Sequence, residues 1–313
     1  MMNYEVFKET VGKLFMDYLP EQYKDMQLHI SPVKKINRIM DGISLRKKGC
    51  NVSPTIYVDD MYKHFLSCND LSEVLKSAAE IMEKAMREVD NVPVLKLASA
   101  KDDIVFQLIN TNQNKDLLKD IPHREFLDLS IIYRWVVKIN DIGIQGTIVN
   151  NDLAKKIGMN EEQLYQAAIK NTQRILPPMI KSMNDFLMGM FAADGDLSEV
   201  WSPEEIPQEF PDTGMWVITN SRKINGAISM LYEDNLHKLA IRLDSDLYIL
   251  PSSVHEVIVV STSMGEPCEL SQMVRDINAD TVSLEERLSN NVYHYDKNLR
   301  RITLVTDANE NLE

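Results

Sequence analysis

Asp246-Leu247-Tyr248-Ile249-Leu250-Pro251-Ser252-Ser253-Val254-His255-Glu256-Val257-Ile258-Val259-Val260-Ser261 holds two apolar runs on either side of Pro-Ser-Ser. Each run is too short for a stable helix and the second is rich in β-branched residues, so they read as strands at 247–250 and 254–261 joined by a tight turn or bulge. Outward from this pair, 215–219 reads as a strand, 222–243 as a helix and 269–278 as another helix. Then 292–295 and 301–305, separated by Asp296-Lys297-Asn298, form a hairpin pattern. Strands that return through hairpins, without regular βαβ alternation, predict an α+β fold rather than a doubly wound sheet.

The N-terminal part has the same mixture. Val6, Phe7, Val11, Leu14, Phe15 and Tyr18 recur at helical spacing before Pro20, predicting an amphipathic helix over 3–19. Short alternating segments at 26–30 and 43–45, and a third at 54–58, read as strands. A long helix at 71–89 begins at Asn69 and stops before Pro93. From 104 to 149 the period is that of strands, at 104–109, 126–137 and 142–149. Helices at 151–157 and 161–175 follow, separated by Gly158 as a C-terminal cap and Asn160 as an N-terminal cap.

Residues 194–213 carry Asp194, Asp196, Glu199, Glu204, Glu205, Glu209 and Asp212, together with Pro203, Pro207 and Pro211, and no Lys or Arg. This acidic, proline-bearing stretch reads as a linker or surface loop, and so as a boundary between two lobes, 1–193 and 214–306, with a tail at 307–313.

At 313 residues, with 44% hydrophobic and 26% charged residues, the chain is long enough to bury a large core and has no disordered or fibrous bias. Its net charge of -13 opposes non-specific attraction to nucleic acid or anionic lipid. Cys50, Cys68 and Cys268 are odd in number and lack C-x-x-C spacing, which reads as free thiols in a reducing compartment. Glu5 and Glu9 stand where a signal peptide needs an apolar stretch, and no run reaches the length of a membrane span, so the expected location is the cytoplasm, with no membrane partner.

The segments Asn51-Val52-Ser53-Pro54-Thr55-Ile56-Tyr57-Val58, Asn225-Gly226-Ala227 and the 246–258 run together resemble an uncharacterised family of unknown function from clostridial-type Gram-positive bacteria, over nearly the whole chain. More distantly, Glu161-Glu162-Gln163-Leu164 with Ala167, Ala168 and Asn171, and the late 251–260 element, are similar to the YtpQ-like proteins of related bacteria. The resemblance implies a bacterial cytosolic α+β protein and carries no activity, cofactor or catalytic residue.

Ser252, Ser253, His255 and Glu256 place the ingredients of an activated nucleophile in one turn. On a strand, however, His255 and Glu256 point to opposite faces, and no G-x-S-x-G elbow exposes a serine. The alternatives here are a hydrogen-bonded structural turn, a binding edge or an unrecognised hydrolase site. Lys34, Lys35, Arg38, Arg46, Lys47 and Lys48, opposed by Asp41, form a candidate anion-binding patch for a phosphate ligand or RNA, or a solvated face.

The 150–175 segment imitates a helix-turn-helix, but Glu161 and Glu162 stand where the recognition helix would meet phosphate. Gly143-Ile144-Gln145-Gly146 has G-x-x-G spacing without basic residues. His123 with Glu125, and His294 with Asp296, are two-residue pairs too small for a metal site. Met179, Met183, Met188 and Met190 read as core filling or as an adaptable surface. With no phosphate-binding loop and no kinase signature, no cofactor or metal is expected. The favoured reading is a non-catalytic cytosolic module that binds a protein partner or itself, with nucleic acid disfavoured; the alternatives are the hydrolase and the phosphate-ligand site.

Overall fold

The computed structural model describes residues 2–46, 53–89, 97–140, 143–193 and 214–305. The chain is α+β and divides into two compact units, Met1–Val94 and Leu95–Glu313. Residues 194–213, the expected boundary, lie outside the described residues; the strands that flank them, Pro178–Ser182 and Trp216–Asn220, pair within one sheet of the second unit.

In the first unit α1 (Tyr4–Leu14) is capped by the Asn3 side chain, which accepts the Val6 N–H at 2.9 Å. Its helical geometry ends early and passes into a 3-10 turn, Phe15–Tyr18, ahead of Pro20. The segments read as separate short strands are two halves of one long hairpin, β1 (Gln27–Lys35) and β2 (Arg38–Arg46). Pro32 and Gly42 hide its continuity in the sequence, and its tight turn places Asn37 at φ 62. β3 (Thr55–Tyr57) pairs with the other side of β2. A helix not foreseen, α2 (Val58–Cys68), ends with Asn69 in the left-handed region. α3 (Leu71–Val89) is instead capped by Asp70, whose Oδ1 accepts the Ser72 and Glu73 N–H groups. Phe7 and Val11 from α1 and Phe15 from the turn after it meet Ile43, Leu45, Val58, Phe65, Leu75 and Met82 in one core.

The second unit contains two sheets. In the first, β4 (Ile104–Asn110) pairs with β6 (Leu129–Asn140); β6 also pairs with β5 (His123–Phe126) and β7 (Gly143–Ile148). A short helix, α4 (Lys115–Leu118), leads from β4 to β5. α5 (Asn151–Ile157) and α6 (Glu161–Ile175) have the two caps expected, Gly158 at φ 75 and Asn160 in a capping box with Gln163. α6 is fastened to β4: the Thr172 hydroxyl accepts the Phe106 N–H at 2.9 Å, and Asn171 Nδ2 donates to the Ile104 and Lys101 carbonyls.

The second sheet is antiparallel throughout, in the order β13-β12-β10-β11-β9-β8. Its strands are β8 (Pro178–Ser182), β9 (Trp216–Asn220), β10 (Leu247–Leu250), β11 (Val257–Ser261), β12 (Tyr293–Asp296) and β13 (Arg301–Leu304). α7 (Met183–Ala193) follows β8. Leu247, Ile249, Val257 and Val259 face a core shared with α8 (Glu233–Leu243), whereas Leu250 and Val260 face α9 (Pro267–Asp280) through Leu270 and Val274. Covering on both faces is why these strands read as continuous apolar runs, without alternation. The helix expected over 222–243 is broken: Lys223 and Asn225 adopt positive φ, and a 3-10 turn, Gly226–Leu231, precedes α8.

One polar junction ties the first unit together. Asp41 accepts Lys8 Nζ at 2.7 Å and the Tyr4 hydroxyl at 2.9 Å, and Asp59 accepts the same hydroxyl and the Asp41 N–H. Burial pushes the Asp41 carboxyl up, but the bonds from Lys8 and Tyr4 outweigh it and hold the group below the usual carboxylate range. A folded value below the unfolded one gives stability that is complete above about pH 4 and is lost as pH falls through the folded value. Asp41→Asn should therefore cost about 1–3 kcal/mol at pH 7, with the gap to the natural protein narrowing by pH 3, as read from urea unfolding at both pH values.

Candidate functional site

The strand predicted over 254–261 starts late. Residues 251–256 form a bend before β11, so alternation across a sheet does not govern His255 and Glu256. The bend is anchored from two directions. The Val254 N–H donates to the Glu286 carbonyl, and Leu288 and Ser289 N–H groups donate to the Ser252 and Pro251 carbonyls. On the other side the Ala227 N–H donates to the Val254 carbonyl, and the Thr219 hydroxyl donates to the His255 carbonyl at 2.7 Å.

His255 is held at both ring nitrogens. Nδ1 accepts the Asn225 N–H at 3.2 Å, and Nε2 lies 3.3 Å from Glu286 Oε1, an arrangement met by the tautomer protonated at Nε2. Ser253 is buried, and its Oγ accepts the His255 backbone N–H at 3.0 Å. Burial raises Glu256 above its ordinary value; His255 and Ser253 pull the other way, and Glu286 adds to the rise. Serine, imidazole and carboxylates thus meet here, but the imidazole is paired with Asn225 and Glu286 rather than with the serine hydroxyl. The requirement for a nucleophile bonded to its base is not met.

Asn225 and Glu286, absent from the sequence reading of the site, are about 30 residues away from His255 on either side. The signal that was available is Asn225-Gly226-Ala227 itself. A Cβ on Gly226 would lie 2.5 Å from the His255 carbonyl oxygen and 2.7 Å from the Asn220 nitrogen, so glycine is required by backbone approach.

The four described cations of the basic patch lie at the two ends of the β1–β2 hairpin. Lys34, Lys35 and Arg38 lie at the tip of the β1–β2 hairpin, where Lys35 Nζ sits 4.7 Å from the Tyr57 ring centroid. Arg46 pairs with Gln27 at the other end, about 27 Å away at the usual strand rise. Lys47 and Lys48 lie outside the described residues.

Glu161 and Glu162 hold Arg124, whose guanidinium also stacks on Tyr165 at 3.8 Å, and Tyr133 donates to Glu161. The acidic helix start therefore clamps α6 to β5 and β6. His123 Nδ1 lies 3.0 Å from the Ile121 carbonyl and His294 pairs with Asp246 at 3.3 Å, so neither histidine meets the carboxylate two residues on. Met179 and Met183 are half-buried and Met188 is exposed. Among the described residues no group of three or more His, Cys, Asp or Glu is placed to hold a metal, and no helix is long and apolar enough to cross a membrane.

Gly226→Ala should destabilise the second unit by about 3 kcal/mol through overpacking against backbone. Gly158→Ala, with open space around its Cβ and only a positive φ to strain, should cost about 1 kcal/mol. Urea unfolding of the two variants measures the difference.

Residues 4–297 match the model of a family of unknown function (DUF5688), and the chain belongs to that family. No curated protein and no solved structure matches it.

Proposed function

We propose that this member of the family is a non-catalytic binding module that recognises a polypeptide, another protein or a second copy, by adding a strand to β13. The observation that carries the reading is an open edge next to exposed apolar side chains. β13 pairs only with β12 among the described residues, and Leu299, Leu304 and Val305 are 73%, 36% and 42% exposed. Val305 N–H donates to the Val292 carbonyl, so by antiparallel alternation Ile302 and Leu304 direct their N–H and C=O outward. Such an edge accepts a partner strand through main-chain bonds, with apolar side chains for specificity. β1, the edge of the other unit's sheet, is guarded by Pro32, Lys34 and Lys35.

The reading includes residence in the cytosol of a clostridial-type bacterium, supported by the free thiols of Cys68 and Cys268, and the distant kinship with YtpQ-like proteins. A hydrolase at the 251–256 bend has less support, because the His255 imidazole pairs with Asn225 and Glu286 and not with the Ser253 hydroxyl. A phosphate or RNA site over 34–48 has less support because Arg46 lies far from the hairpin tip.

Leu304→Pro removes an outward donor while leaving the inward ladder to β12 intact. Light scattering of the purified chain, and affinity capture from its native cytosol, should show a dimer or a stoichiometric partner in the natural protein and its loss in Leu304→Pro, with far-UV circular dichroism unchanged. A monomer without a partner, or a partner retained by Leu304→Pro, would refute the reading.

A further inference from the structure

A polar cavity of about 320 Å³ lies in the second unit, lined by no residue of β13 or of the 251–256 bend. Its walls are the C-terminal half of α9, the 287–291 segment and the chain after β4. Ser271, Arg275 and Asn278 are spaced i, i+4, i+7 on α9, which puts them on one face. Ser271 accepts Arg275 Nη2 at 3.3 Å and donates to the Asn290 carbonyl at 3.0 Å.

Two buried polar atoms of this wall have no partner. Asn278 is 3% exposed; its Nδ2 donates to the Ser289 carbonyl at 3.0 Å and to Asn290 Oδ1 at 2.6 Å, and its Oδ1 accepts nothing. Arg275 Nε is likewise buried without an acceptor. A buried acceptor and a buried charged donor left open on one helix face are costly unless something occupies the space beside them.

The chemistry of the lining narrows the occupant. Asp128 is the one carboxylate there, and its oxygens already accept Ser289 Oγ at 2.6 Å, Asn291 Nδ2 at 2.9 Å and the Tyr293 hydroxyl. Two guanidinium groups, Arg275 and Arg287, line the cavity together with that one carboxylate, in a protein of net charge -13. The remaining polar lining is side-chain amide, and the lining offers no aromatic ring on which a base would stack. A volume at the lower end of ligand sites admits a molecule of about one sugar's size.

We infer that this cavity binds a small polyhydroxylated carboxylate, of the sugar-acid class. The carboxylate pairs with Arg275, and a hydroxyl donates to Asn278 Oδ1 while accepting from the surrounding amides.

Titration calorimetry of the full chain with sodium D-gluconate and sodium D-glucuronate tests this, with D-glucose and sodium acetate as comparators at equal ionic strength. At least one sugar acid should bind saturably at one site per chain, and glucose and acetate at least tenfold more weakly. Arg275→Gln should weaken binding at least tenfold, with folding checked by circular dichroism. Asn112→Asp, at an exposed position on the rim, should weaken it severalfold by repulsion without touching the core. Absence of saturable binding of both acids up to about 10 mM, equal binding of acetate, or binding that survives both substitutions overturns the inference.

Discussion

The second unit depends on the carboxylate of Asp128. It sits in the tight turn between β5 and β6, where Leu127 takes a φ of 56, and accepts three bonds from residues more than 160 positions further on, Ser289, Asn291 and Tyr293. None of the three donors is charged. Burial, with Asp128 beside it, pushes the Tyr293 hydroxyl well above its ordinary value, which keeps it a donor. The Thr111 N–H adds a bond to the Asp128 carbonyl, and Asn110 Nδ2 donates to the Leu288 carbonyl. Through these bonds the end of one sheet is fixed to the segment that enters β12 of the other, and that segment in turn supports both the 251–256 bend and the polar cavity.

Much of the fold could be read locally. The caps at Gly158 and Asn160, the helix over 71–89 and the final hairpin all rest on interactions within a few residues. The β1–β2 hairpin was read as fragments because Pro32 and Gly42 are poor strand residues. They are tolerated because Pro32 lies on an edge strand and Gly42 fits between Val33 and Thr55, where a Cβ would lie under 3 Å from both. The helix expected over 222–243 lost its first turns to two left-handed residues, whose conformation follows from Asn220 binding the Ile224 carbonyl and the Arg222 N–H.

The site was legible only in its composition. Ser253, His255 and Glu256 are neighbours in sequence, but their roles are set by Asn225 and Glu286, and no spacing rule connects positions about 30 residues apart. For the basic run the relation is the opposite: Lys34, Lys35, Arg38 and Arg46 are close in sequence, but extended strands set Arg46 far from the other three. Arg275 and Asn278 share a helix face by spacing alone, but their vacant atoms become visible only once the 287–291 segment is placed against them.

The pairing of β8 with β9 and the hold of Asp128 on Tyr293 also set an order of assembly. Every element of the first unit lies within its 94 residues, so its core can close as soon as that length of chain is available. The second unit has no such early closure: β6 and β4 can pair, but among the described residues the Asp128 carboxylate has no partner before Ser289 and lacks the full set until Tyr293 has been made. Contacts of this sequence separation are the slow ones in folding. In the interval β10 is paired with β11 alone and its other edge, where β12 will lie, is open, which makes the growing second unit the part of the molecule most exposed to mispairing.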